Sequence, residues 1–175
     1  MKRFLILGLL ATQLSAYEYQ PGEWLMRGVL GNSIYFIQDS STGIGDNIVA
    51  GIEVETMLDR NWSVGGAFKP TFANNRLALG LGASAKYRFV NKDNPLIPFV
   101  SLGLAPSLMI PTIGDGARVH FNLGIRPTAG FEYFVTRDLA LGLETAMTPS
   151  FLFGKGTTNV MEASIEVLVG ATWRL

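Results

Sequence analysis

Long stretches of this chain alternate, one residue for one, between apolar side chains and small or charged ones. Between Ile48 and Leu58, the residues Ile48, Ala50, Ile52, Val54, Thr56 and Leu58 share one parity, while Val49, Gly51, Glu53, Glu55 and Met57 share the other. Successive side chains of a β-strand point to opposite faces, so this pattern gives a strand with one apolar face and one that carries two carboxylates. The split recurs. Leu77, Leu79, Leu81, Ala83, Ala85, Tyr87 and Phe89 oppose Gly80, Gly82, Ser84, Lys86 and Arg88, and Met161, Ala163, Ile165, Val167, Val169, Ala171, Trp173 and Leu175 oppose Glu162, Ser164, Glu166, Gly170 and Arg174.

Eight such strands are expected, near 23–38, 47–58, 62–73, 77–90, 96–110, 117–135, 139–153 and 159–174. Tight polar turns (59–61, 91–94, 136–138) alternate with the Gly-rich loops 39–46, 113–117 and 154–158 and the two-residue Asn74-Asn75 turn. No segment within them reads as a membrane helix. The charge-free stretch 96–114 contains Pro98, Pro106 and Pro111, each of which removes a helix donor and clashes with the preceding turn. The fold class predicted is all-β: an eight-stranded antiparallel up-and-down barrel, which is a transmembrane one if the apolar face points outward.

Alternation alone does not distinguish that barrel from a soluble lipid-binding one turned inside out. Three features favour lipid outside. The mid-strand charges all fall on the polar face, with Arg27, Lys69, Lys86, Arg88, Arg126 and Arg174 balanced by Glu53, Glu55, Glu132, Glu144, Glu162 and Glu166. An enclosed lumen needs that balance, because an unpaired buried charge costs several kcal/mol. The same face is otherwise Gly, Ala and Ser, which suits a narrow interior. Finally, aromatics of the apolar face fall at the strand ends: Trp24, Trp62, Tyr87, Phe89, Tyr133 and Trp173 at the short-turn end, and Phe36, Phe72, Phe121, Phe151 and Phe153 at the other. Two such belts are what the two interfaces of a bilayer select. These residues, with the lumen charges, are the candidate site.

Met1-Lys2-Arg3, the apolar run 4–11 and the small residues of Ser15-Ala16 read in order as a cleavable export signal, 1–16, ahead of a single barrel domain, 17–175. A formal charge of zero argues against nucleic acid as a partner, and the lack of cysteine excludes disulfides, thiolate metal sites and a Cys nucleophile. No metal or cofactor is expected. His120, the only histidine, lies on the polar face within conceivable reach of Asp115 or Glu144, with Ser107 or Ser150 as nucleophile, but no local Ser/His motif accompanies it. Gly114-Asp115-Gly116 lacks calcium-loop spacing. Pro70, Pro106, Pro127 and Pro149 stand inside predicted strands, each followed by Thr or Ser, and suggest bulges, an outward flare or early strand ends.

With these elements the chain resembles the small outer-membrane barrels, the OmpX, OmpW and OmpA-membrane-domain group. Gly22-Glu23-Trp24-Leu25-Met26-Arg27 is similar to the opening strand of the OmpW branch. Segments 97–103 and 130–139 look like recurrent strands of the whole group, and Ala171-Thr172-Trp173-Arg174-Leu175 looks like its closing strand. The group usually ends in Phe, which the barrel-assembly machinery reads; here Trp173 would supply the aromatic and Leu175 the terminus. The resemblance implies location in the bacterial outer membrane. It implies as partners lipid, lipopolysaccharide and the assembly machinery through the C-terminal strand. The expected role is non-enzymatic, a monomer with a charge-plugged lumen acting in envelope structure or contact. The alternatives are a narrow passage for a small or hydrophobic solute, as the OmpW likeness implies, a lipid-A-modifying enzyme, and a soluble periplasmic barrel.

Overall fold

A computed structural model describes residues 18–37, 47–73, 76–91, 93–111, 119–153 and 160–175. Its strands are β1 (Trp24–Ile37), β2 (Asn47–Met57), β3 (Trp62–Ala73), β4 (Arg76–Arg88), β5 (Leu96–Pro111), β6 (His120–Phe134), β7 (Leu139–Phe153) and β8 (Val160–Arg174). Each pairs antiparallel with its neighbour in sequence, and β8 pairs with β1, so the sheet closes. The expected third and seventh strands coincide with the observed ones, and the other ends fall within three residues. The proposed signal 1–16, the loops 39–46, 113–117 and 154–158, the Asn74-Asn75 turn and Asp115 lie outside the described residues.

The barrel is defined by its stagger. The pairing carries Met26 through Val54, Gly66, Ala83, Leu104 and Ile125, then across a gap to Pro149, Ala163 and Phe36, ten residues beyond its start on β1. With eight strands, a stagger of ten tilts them roughly 40° from the axis and leaves an interior that side chains can fill.

Polarity runs apolar outward. Leu81 is 62% exposed, Leu102 59% and Val169 57%, whereas inward-pointing Arg88 and Glu132 are 0% exposed. A soluble barrel has the reverse arrangement. Of the expected belts, Trp24, Trp62, Phe89, Tyr133 and Trp173 are exposed at the short-turn end and Tyr87 is half-buried between Trp62 and Phe89, with ring centroids 5.0 Å from each. Phe72, Phe121, Phe151 and Phe153 are exposed at the other end, with Phe121 and Phe153 6.2 Å apart. The backbone of Phe36 pairs with Ala163, and its side chain is outside the described set.

The in-strand prolines correct one expectation. The strands neither end nor bulge at them. The β2–β3 ladder pairs Val49 with Thr71 and Ile52 with Phe68, skipping the positions of Lys69 and Pro70 without a change of register. The β4–β5 ladder skips Ala105 and Pro106 in the same way, and the β6–β7 ladder skips 125–127 against 147–149. A proline lacks the N–H for a ladder bond, so the bond is lost while the pairing frame stays.

The short turns are held by their own polar side chains. Asp59 accepts from the backbone N–H groups of Asn61 and Trp62, both at 2.7 Å, and these bonds hold its carboxyl below the usual aspartate range, that of Trp62 most strongly. Thr136 and Asn94 accept the N–H of Leu139 and Leu96 at 3.1 and 2.9 Å. Below this end, residues 18–23 fold across the opening. The turn requires φ of 84° at Gly22, whose N–H donates to the Met57 carbonyl at 2.7 Å. It sets Tyr19 against Leu25, Met57, Ile97, Phe134 and Ala140, an apolar stopper in the mouth.

Candidate functional site: the charged lumen

Above that stopper the inward carboxylates and cations form one connected chain. Arg88 Nε meets Glu132 at 3.0 Å and its Nη2 meets Glu55 at 2.9 Å. Glu55 also holds Lys86, which lies 3.8 Å from Glu53. Glu53 pairs with Lys69 at 2.5 Å and with Arg27 at 3.5 Å. Arg27 and Lys69 both reach Glu144, Lys69 at 3.6 Å. Arg126 then links Glu144 at 3.0 Å to Glu166 at 2.8 Å. Ten of the twelve predicted lumen charges are in this chain, with five of each sign.

Strand register explains the order. Arg27 stands opposite Glu53 on β1 and β2, and Lys86 opposite Ser63 on β4 and β3. Ser63 donates to Glu55 at 2.6 Å and accepts from Arg88 at 2.7 Å, so a hydroxyl bridges two ionised groups. Glycine makes the space for Arg27. A Cβ at Gly170 would lie 2.7 Å from Arg27 Nε and 2.9 Å from the Gly28 carbonyl. With side chains 0–14% exposed, the chain's groups interact with each other far more than with water.

Two predicted members stand apart. Arg174 sits at the short-turn mouth, pairing with Glu23 at 3.0 Å and lying over the rings of Tyr19 and Phe134. Glu162 lies at the opposite end, where Arg76 and His120 are its electrostatic neighbours and its Oε2 has no hydrogen-bond partner among the described residues. Of the two carboxylates expected within reach of His120, only Glu144 falls among the described residues, and it is not paired with the histidine. Glu144 is engaged by cations, Asp115 is not described, and His120 Nδ1 is buried with no hydrogen-bond partner among the described residues. Neither serine is on His120: Ser150 donates to the Glu162 carbonyl at 3.4 Å, and Ser107 pairs with Asn122.

Several lumen residues escaped the sequence reading. Phe99, 1% exposed, presents its ring to Lys86 at 4.7 Å and Arg27 at 5.6 Å. Its parity with Ser101 and Gly103 places it inward, but an aromatic on the polar face goes unnoticed when charges define that face. Tyr19, ahead of the first strand, donates to Glu132 at 3.0 Å and stacks under Arg88 at 5.0 Å. Burial, and then the Glu132 carboxylate, push its phenol pKa well up.

The chain matches no family model and no curated protein. Its fold has counterparts among solved structures. Neisserial surface protein A superposes with a TM-score of 0.72 at 16% identity, over 87% of this chain and 97% of that one. The N-terminal β-barrel domain of Pseudomonas aeruginosa OprF gives 0.66 at 13%, over 90% and 100%. The outer membrane enzyme PagL gives 0.54 at 14%, over 83% and 97%. At such identities the likeness is one of fold. That fold, closed, apolar outside and charged within, defines a transmembrane β-barrel protein of the bacterial outer membrane. Its architecture is that of the small eight-stranded outer-membrane barrels, as the strand motifs led us to expect.

Proposed function

We propose that this protein is a non-enzymatic envelope barrel whose lumen is closed, acting through its outer surface on lipid and lipopolysaccharide. The observation that carries this reading is the continuous ion-pair chain from Glu132 to Glu166, stacked on the apolar stopper around Tyr19. Opening a path through it means separating buried pairs, and each partner left alone costs about 3–5 kcal/mol. PagL is an enzyme, so the fold does not decide against catalysis; the reading rests on the lumen and on a His120 whose Nδ1 has no hydrogen-bond partner among the described residues. The barrel acts as a monomer with no nucleic-acid partner, and its closing strand, with Trp173 outward and Leu175 bonded to the Trp24 carbonyl at 2.9 Å, engages the barrel-assembly machinery.

Planar-bilayer recording of the refolded protein tests the closure. No stable conductance is expected; a reproducible, ion-selective channel would overturn it.

A further inference from the structure

The lumen is not filled along its whole length. On the loop side of the ion pairs lies a cavity of about 90 Å3. Lys69 and Arg126 form part of its floor, and Gly82 and Gly103 part of a wall that takes up little room. The facing wall, from β6 and β7, carries Asn122 and Thr148, which are only 4% and 9% exposed. Asn122 Oδ1 and Thr148 Oγ1 have no hydrogen-bond partner among the described residues. Buried polar atoms of this kind are satisfied by something, since leaving one unpaired costs about 1–3 kcal/mol.

The floor has no charge to offer. Lys69 is held by Glu53 at 2.5 Å and Arg126 by Glu166 at 2.8 Å, so an ionic ligand would have to break a pair to gain one. What remains uncommitted is an amide oxygen and hydroxyls. We propose that this chamber binds a small, uncharged, hydroxyl-rich solute of the polyol class. A water needs about 10–15 Å3 on this measure, so the space holds roughly six to nine atoms of water size, the bulk of a three- or four-carbon polyol. Ligand hydroxyls donate to Asn122 Oδ1 and exchange hydrogen bonds with Thr148, and one molecule replaces several separately ordered waters. The inference rests on the preceding proposal in that the floor's charges are committed to one another.

Titration of the full-length refolded protein in micelles with erythritol, followed by NMR, tests it. Saturable shifts are expected at the Asn122 side-chain amide, Thr148 and Gly82 but not at lipid-facing Val169, with none from sodium acetate at equal concentration. Gly82→Leu extends a side chain from a position where an added Cβ meets nothing nearer than 3.5 Å. It should fill the chamber and abolish the shifts. Thr148→Val, which keeps the shape, should weaken binding about tenfold or more and serves if the first variant does not fold. Shifts that rise linearly at every residue, that acetate reproduces, or that survive both variants would mean water alone occupies the chamber. A conducting barrel that still binds erythritol saturably would remove the closed lumen and leave the site standing.

Discussion

Arg88 shows how a full charge is tolerated at the centre of a narrow barrel. Its guanidinium bonds to Glu55, Glu132 and Ser63 and lies over the Tyr19 ring. Without it Glu55 keeps Lys86, whereas Glu132 loses the cation it holds. Arg88→Met should therefore destabilise the barrel by about 3–5 kcal/mol, and adding Glu132→Gln should return part of that loss, because the buried carboxylate goes with its partner. Urea unfolding in vesicles, scored by the gel mobility of folded and unfolded forms, gives both numbers; strictly additive losses would disprove the coupling. Tyr19 supplies a pH dependence. Its phenol pKa is raised in the folded state, so the native barrel keeps that proton after the unfolded chain has lost it. The associated stability is whole below the ordinary tyrosine pKa of about 10 and declines as pH rises beyond it. Between pH 9 and pH 11 the urea midpoint should fall further for the native protein than for Tyr19→Phe, and equal falls would remove Tyr19 from the account. The ten networked charges were legible from parity alone. Tyr19 was not, because a residue ahead of the first strand has no strand parity to read, and neither was the separation of Arg174 and Glu162, since parity names a face and not a height.

Among the elements, the ladders interrupted at proline have a measurable consequence. Pro127 and Pro149 fall within one gap of the β6–β7 ladder, flanked by the intact pairs Gly124–Ser150 and Thr128–Ala146. Amides within the gap, such as those of Ile125 and Met147, should exchange with solvent faster than those of Thr128 and Ala146, because fewer ladder bonds must break to release them. Hydrogen exchange read by NMR on the protein in nanodiscs resolves this, and uniform protection across the gap would show that other bonds replace the missing ones. Strand existence, order and face were readable because a two-residue period admits one inward set per strand. The proline heights were misread as bulges or ends for a physical reason: a bulge and an opened ladder place the same residues in the sequence and differ only in register, which closure of the whole sheet decides.

For the molecule as a whole, the decisive property is the direction in which the apolar face points. Burying Leu104, Leu81 or Val169 in a soluble protein would be favourable, yet here they are more than half exposed while arginines and glutamates fill the interior. Only a hydrocarbon surround makes that arrangement stable, since backbone polar groups are satisfied around the closed sheet and the outer side chains meet acyl chains in place of water. The cost of an outward charge should then depend on depth. Leu104, midway along β5 and 56% exposed, should lose about 2–4 kcal/mol on Leu104→Arg. Val135, 48% exposed just past the end of β6, should lose no more than about 1 kcal/mol on Val135→Arg, where the arginine reaches the headgroups. Unfolding of both variants in the same phosphatidylcholine vesicles provides the comparison. Equal costs at the two depths, or a variant that stays folded and dissolved without detergent, would mean that the outer face meets water.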